Sequence, residues 1–208
     1  MSTALVLTSS ALGEASVSNQ LIRNTADQLR REAPGLTIIE RDLGTTPIPH
    51  LGSDSAAALR GEPQTAAQAR ARELSDRLIG ELQAADTIII GAPMYNFGMP
   101  STLKAWFDHV LRVGVTFRYT EAGPEGLLRN KRAIVVMTRG GLYSEGPARV
   151  MDSQEPHLQV LLGFMGISDV TFVRAEKLAL GPEDRAESIA AAQVKLNDAA
   201  LLSERAAL

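Results

Sequence analysis

The chain has no cysteine, which excludes disulfides, thiolate catalysis and cysteine-based metal sites. That fits a reducing compartment, and a cytoplasmic location is expected. Its three histidines, His50, His109 and His157, fall at no metal-ligand spacing, so no metal site is expected. An excess of one charge is also lacking. A net charge of −3 over 208 residues gives no polyanion surface, and no nucleic-acid partner is expected. No apolar run approaches the roughly 20 residues of a membrane helix. Ala4-Leu5-Val6-Leu7 is too short for a signal-sequence core. No membrane partner is therefore expected. Aromatic residues make up only 4% of the chain, with Trp106 the one tryptophan. The dinucleotide fingerprint Gly-x-Gly-x-x-Gly, the triphosphate cradle Gly-x-x-x-x-Gly-Lys and the Gly-x-Ser-x-Gly nucleophile elbow are all missing.

What is present is an alternation of short apolar runs with helical patterns. Hydrophobic content is 45% and charged content 22%, ordinary for a globular protein. The apolar runs at Thr3–Thr8, Leu36–Leu43, Asp86–Ala92, Ala133–Thr138 and Asp169–Ala175 read as buried strands. Helices are expected over about Asn19–Glu32, Thr65–Ala84, Ser101–Val113, Pro156–Met165 and Pro182–Glu204, with Pro34-Gly35 ending the first. Five strands alternating with helices predict a parallel sheet covered on both faces, an α/β fold in one domain spanning 1–208. Three connections are long. The segment 44–64 holds only a short possible helix at Ala56–Arg60, and 114–131 and 143–154 read as irregular. Loops this long are lids, binding loops or contacts to another chain, or else plain surface insertions. Trp106 lies at helical spacing with Leu103, Phe107 and Val110, which predicts a packing role. His109 is expected at the surface or facing a partner.

The stretch from Gly91 to Lys104 organises the rest. It follows the run Thr87-Ile88-Ile89-Ile90 and feeds a helix start, so a strand ends in a loop rich in Gly, Pro, Asn and aromatic residues. In an open α/β sheet, ligands bind outside the carboxyl ends of strands and near helix N-termini. Unusual loops follow strands one, three and four, which fits the strand order 2-1-3-4-5 with a site at the switch point. In the first loop, Ser10, Ser16 and Ser18 offer hydroxyls, and backbone N–H groups of Ser16 to Asn19 lie at a helix N-terminus. Those groups suit a phosphate, and they equally suit plain helix capping. Tyr95 and Phe97 offer apolar surface to a flat ring. Gly140 and Gly141 let backbone approach a ligand closely. A single phosphate attached to a flat ring, lying between the 94–98 and 139–141 loops, suits these features.

Several motifs recur in order along the chain. They are Ser9-Ser10 with Ser16-Val17-Ser18-Asn19-Gln20, then Ala92-Pro93-Met94-Tyr95-Asn96-Phe97, then Gly114 to Thr120 and Gly123 to Leu127. Arg139-Gly140-Gly141 and Gly163-Phe164-Met165-Gly166-Ile167 complete the set. Together they resemble the flavodoxin-like, FMN-dependent NADH-azoreductase family of bacteria. The resemblance implies a homodimer with one FMN per subunit close to the interface. It implies that Ser10, Ser16, Val17 and Ser18 take the phosphate. Pro93, Met94, Tyr95, Asn96 and Phe97 would hold the ring, and Thr138, Arg139, Gly140 and Gly141 its pyrimidine side. The family often has Ser where this chain has Thr138, and the hydroxyl is kept. Tyr119, Phe164 and Tyr143 would shape the substrate pocket. The implied activity is that of an NAD(P)H:quinone oxidoreductase: NADH or NADPH reduces FMN, leaves, and a quinone, azo compound or nitroaromatic then takes two electrons. Such chemistry belongs to the cofactor and needs few acid–base side chains. No clear basic cluster marks a 2′-phosphate, though Arg118 or Arg60 could each serve. A flavodoxin-type electron carrier and a non-catalytic flavin or quinone sensor are the alternatives. A receiver-type signalling domain would need clustered acids after strand one, where Thr8-Ser9-Ser10 stands instead.

Overall fold

In the computed structural model, which describes residues 2–205, each apolar run becomes a parallel strand of one sheet. The strands β1 (Thr3–Thr8), β2 (Thr37–Asp42), β3 (Thr87–Pro93), β6 (Arg132–Thr138) and β7 (Asp169–Ala175) lie in the order β2-β1-β3-β6-β7. That is the expected 2-1-3-4-5 pattern once a hairpin between the third and fourth of them is counted. The hairpin is the difference. The connection 114–131 holds two short antiparallel strands, β4 (Phe117–Thr120) and β5 (Gly123–Gly126), in register from Phe117 with Gly126 to Thr120 with Gly123.

Side-chain alternation places the two helical layers. Leu5, Leu7, Ile88, Ile90 and Val135 face one side of the sheet, where α3 (Ala66–Ala84), α4 (Ser101–Val110) and α5 (Gln154–Phe164) bring Leu78, Leu82, Trp106, Phe107 and Leu158. Val6, Ile89, Ile134 and Val173 face the other side. There α1 (Val17–Glu32) and α6 (Pro182–Arg205) supply Leu21, Ile22, Leu29 and Leu196. Trp106 is fully buried in the first layer, its ring edge-on to Phe107 at 5.0 Å, as its spacing predicts. No helix among the described residues is long and apolar enough to cross a membrane.

Element ends follow local chemistry. The first helix begins two residues before its expected start, because Ser16 caps it and accepts from Asn19 N–H at 3.3 Å. The short helix α2 spans Ser53–Arg60, and Arg72 of α3 donates to the Ala58 and Gly61 carbonyls that end it. The segment 143–154 contains one 3₁₀ turn, Pro147–Met151. The helix α4 stops at Val110, where Thr116 Oγ1 donates to the Val110 carbonyl at 2.7 Å.

His109 corrects an expectation. It is buried, with Nε2 3.0 Å from the Pro49 carbonyl. The 44–52 segment lies over α4 and covers it, with Ile48 in the same core. A long excursion that packs onto its own domain cannot be told from a mobile one by composition.

Candidate functional site

Loops from the ends of β1, β3 and β6 meet at one edge of the sheet. The β1 loop carries the hydroxyls. Ser10, Ser16 and Ser18 are all buried, and Ser16 Oγ lies 3.0 Å from Ser18 Oγ. The first turn of α1 carries no acidic residue. Its leading N–H groups have no partner within the helix. Hydroxyls, free amides and the positive end of the helix dipole form a donor set that matches a phosphate. Val17 can add only its backbone, since its side chain belongs to the core.

The β3 loop makes a tight reversal. Tyr95 and Gly98 exchange backbone hydrogen bonds of 3.0 and 3.1 Å. Between them Asn96 and Phe97 have φ of 48° and 71°. Positive φ at both central residues is the hairpin turn whose twist fits extended flanks, and non-glycine residues there cost about 1 kcal/mol each. That strain is tolerated because the loop is tied on both sides. Tyr95 Oη lies 3.0 Å from Ser10 Oγ and accepts from Ala11 N–H at 3.1 Å. Met94 N–H donates to the Thr138 carbonyl at 2.9 Å. Ser153 donates to the Phe97 carbonyl from both Oγ and N–H, at 2.7 and 3.1 Å. The phosphate-side and ring-side loops are therefore one hydrogen-bonded unit. Pro93 closes β3 in the core, while Asn96 and Phe97 stay exposed.

In the β6 loop the structure separates residues that sequence treats alike. Thr138 is buried beside Met94. Arg139 contributes backbone only, because its guanidinium turns inward and is wholly buried. It donates to Glu176 at 3.1 Å, Asp152 at 2.9 Å and Gln154 Oε1 at 3.2 Å. Gln154 in turn donates to the Ala92 carbonyl at 2.8 Å. The glycine pair also has a use beyond close approach to a ligand. A Cβ on Gly141 would come within 3.2 Å of the Tyr143 ring, so the glycine makes room for that ring. Tyr143 stands edge-on to Phe97, centroids 6.1 Å apart.

Tyr119 and Phe164 form a separate group. Phe117 lies between them, its ring 5.7 Å from Tyr119 and 4.6 Å from Phe164. A groove of about 450 Å³ runs between this hairpin and α2, lined by Leu51, Leu59, Arg60, Leu111, Phe117 and Tyr119 among others. Arg118 is engaged by Glu125 at 2.7 Å. Of the two arginines considered for a 2′-phosphate, then, one already has a carboxylate and the other lines the groove.

Asp152, Ser153, Gln154 and Glu176 were missed by sequence reading. Each acts by tying one loop to another, and no motif marks such a role. Burial alone would push the Glu176 carboxyl up. Hydrogen bonds from Ser144 Oγ and Tyr143 N–H, together with Arg139, outweigh that and hold it below the ordinary glutamate range. A lowered pKa means the contribution is full above about pH 4.3, the ordinary value. It is lost only as pH falls through the lowered value.

A family model described as flavodoxin-like fold matches residues 2–199. An FMN-dependent NADH:quinone oxidoreductase of Hyphomonas neptunium is 55% identical, the match covering 93% of each chain. A protein of the same description from Ralstonia nicotianae is 50% identical over 93% of this chain and 95% of its own. Among solved structures, an azoreductase from Bacillus anthracis superposes with a TM-score of 0.88 at 28% identity, covering 96% of this chain and 99% of the other. An FMN-dependent NADH-azoreductase from the same species, in complex with FMN, gives 0.86 at 25% identity, covering 96% and 98%.

Proposed function

Because the chain belongs to the flavodoxin-like family that contains the FMN-dependent NADH:quinone oxidoreductases, we propose that the three loops form an FMN pocket serving the two-electron reduction of quinones and aromatic azo compounds. The observation that carries this reading is the hydrogen-bonded union of a phosphate-type donor set with a rigid ring-side loop. Bound there, FMN supplies the chemistry by accepting hydride from NADH and passing two electrons to the acceptor.

The protein's own part is binding and orientation. Ser10, Ser16, Ser18 and the α1 N-terminus hold the phosphate. The backbone from Met94 to Phe97 and from Thr138 to Gly141 faces the polar edge of the ring. Donors fixed in advance favour negative charge on a reduced ring without reorganising. NADH is the donor named for the relatives, and Arg118, held by Glu125, offers no free guanidinium for a 2′-phosphate. NADH is therefore proposed as the donor on the relatives' description, with Arg60 in the groove the arginine left for a 2′-phosphate.

The protein acts as a cytoplasmic homodimer with the pocket close to the subunit interface. Apolar side chains near the site support this: Val150, Met151 and Val160 are exposed around the start of α5 and along it. A second copy would cover them. The aromatic row Tyr119–Phe117–Phe164 shapes the acceptor side.

One preparation tests the reading. Purified protein should be yellow, elute at twice the chain mass, bleach with NADH without oxygen, and recover on adding a quinone. Yellow protein that NADH cannot bleach would instead be an electron carrier or sensor. Colourless protein that takes up no FMN would remove the pocket assignment. A second result concerns Phe164→Ala. It should change the ratio of kcat/KM for a quinone and an azo dye by about tenfold, with FMN affinity shifting less than about threefold. Unchanged ratios would leave Phe164 a packing residue.

A further inference from the structure

Glu176 follows β7 and lies outside every motif in the chain. It is almost wholly buried. Its Oε1 accepts from Tyr143 N–H at 2.9 Å, Ser144 N–H at 3.0 Å and Arg139 Nη1 at 3.1 Å. Its Oε2 accepts from Ser144 Oγ. Both N–H groups belong to the β6 loop, and a loop backbone has no strand or helix to satisfy them. The backbone beside Glu176 completes the grip. Lys177, Leu178 and Ala179 N–H donate to the carbonyls of Gly141, Arg139 and Gly140 at 2.9, 3.1 and 3.0 Å. The turn after β7 is thus a template on which 139–144 is laid down.

The charges facing Glu176 favour its ionised form. Arg139 touches it directly, while Asp152 and Glu155 are themselves matched by Arg139 and Arg174. A buried carboxylate with so many donors is a fixed point. What it fixes is the conformation in which the Tyr143 ring lies over Gly141 and edge-on to Phe97.

We propose that Glu176 is a positioning residue for the flavin ring, shaping through Tyr143 and Ser144 the wall of the pocket opposite the 94–97 loop. The proposal rests on the FMN pocket inferred above. It places Glu176 on the ring side and assigns it no part in holding the phosphate, and that division makes it testable.

The experiment measures dissociation constants of FMN and of riboflavin, which lacks the phosphate, for full-length wild type, Glu176→Ala, Glu176→Gln and Ser144→Ala. Thermal midpoints are recorded in parallel. Glu176→Ala should weaken both flavins by the same factor, about tenfold, since charge-assisted bonds are lost on the ring side only. The riboflavin-to-FMN ratio should stay at its wild-type value. Glu176→Gln keeps an acceptor and should recover most of the affinity. Ser144→Ala keeps the Arg139 pair and should lose about threefold for both flavins, at the low end for one hydrogen bond. A residue that merely held the fold together would lower the thermal midpoint and leave both constants unchanged, and that result overturns the proposal. Loss of FMN binding alone, with riboflavin unaffected, overturns it too. If Glu176→Ala does not fold, Ser144→Ala decides, and unchanged constants in that folded variant refute the assignment. Wild type that binds neither flavin would refute the pocket itself, a distinct outcome.

Discussion

Gly44→Ala is expected to weaken FMN binding by roughly 5- to 150-fold, the range that a 1–3 kcal/mol overpacking cost gives when the loop absorbs it. Gly44 is not in the loop that would hold the phosphate. It lies just after β2, where Leu43 N–H donates to the Thr8 carbonyl at 2.7 Å and draws the two strand ends together. A Cβ at Gly44 would stand 2.2 Å from the Ser10 carbonyl oxygen. The obstacle is backbone, so no side-chain rotation relieves it. Either the β2 end or the Ser10 loop must move. The β2 end is anchored by Asp42 Oδ1, which accepts from Gly44 N–H at 2.8 Å. The displacement therefore falls on Ser10, and through Ser10 Oγ on Tyr95. Riboflavin, with no phosphate, should lose only a few-fold. Gly80→Ala in α3 is the control, because a Cβ there meets no atom within 4 Å and α3 contributes to none of the three loops. Equilibrium titration of the three proteins with both flavins checks the expectation. FMN affinity within about twofold of wild type in Gly44→Ala would show that the β1 loop does not hold the phosphate.

The contrast among the glycines shows where sequence reading ends. Gly44, Gly140 and Gly141 are the same letter, yet one makes room for a neighbouring carbonyl, one touches a methyl, and one leaves space for a tyrosine ring. Patterns that repeat along the chain were legible. The five strands declare themselves as short apolar runs, because a parallel sheet is buried on both faces, and the start of α3 declares itself through the Thr65 cap. The candidate loops were legible because a sheet of this topology opens at its carboxyl edge. The hairpin Phe117–Gly126 was not, since two four-residue strands containing a proline and two glycines carry too little periodicity. His109 was misjudged, and the direction of the Arg139 side chain was not marked by its motif, for one shared reason. Direction and burial are set by segments distant in sequence: Pro49 for the first, and Asp152, Gln154 and Glu176 for the second. A motif does not say which way its side chains turn, and here the guanidinium turns inward.

That inward arginine carries the largest stability expectation. Arg139→Met should destabilise the protein by roughly 3–5 kcal/mol, the cost of breaking a buried ion pair by removing one partner. The guanidinium is fully buried, and the Asp152 and Glu176 side chains beside it are only 9% exposed. Without it, two carboxylates are left in a site closed to water. Methionine fills much of the volume, so the loss reads charge rather than cavity. At about 2–4 °C per kcal/mol for a chain of this size, the thermal midpoint should fall by at least about 6 °C. Arg139→Lys should fall between, because an ammonium keeps the charge but lacks the planar fork that reaches Asp152, Gln154 and Glu176 together. The triple variant Arg139→Met, Asp152→Asn, Glu176→Gln should regain part of the loss, since removing every member of a buried charge group costs less than removing one. Melting curves with and without saturating FMN separate the two consequences. The ligand-free midpoint reports the buried charge, and the extra stabilisation by FMN reports the loops that Arg139 ties together. Midpoints for Arg139→Met within about 2 °C of wild type would mean the two acids find other partners or take up protons, and the network would not be what holds the 139–144 and 152–154 loops in place.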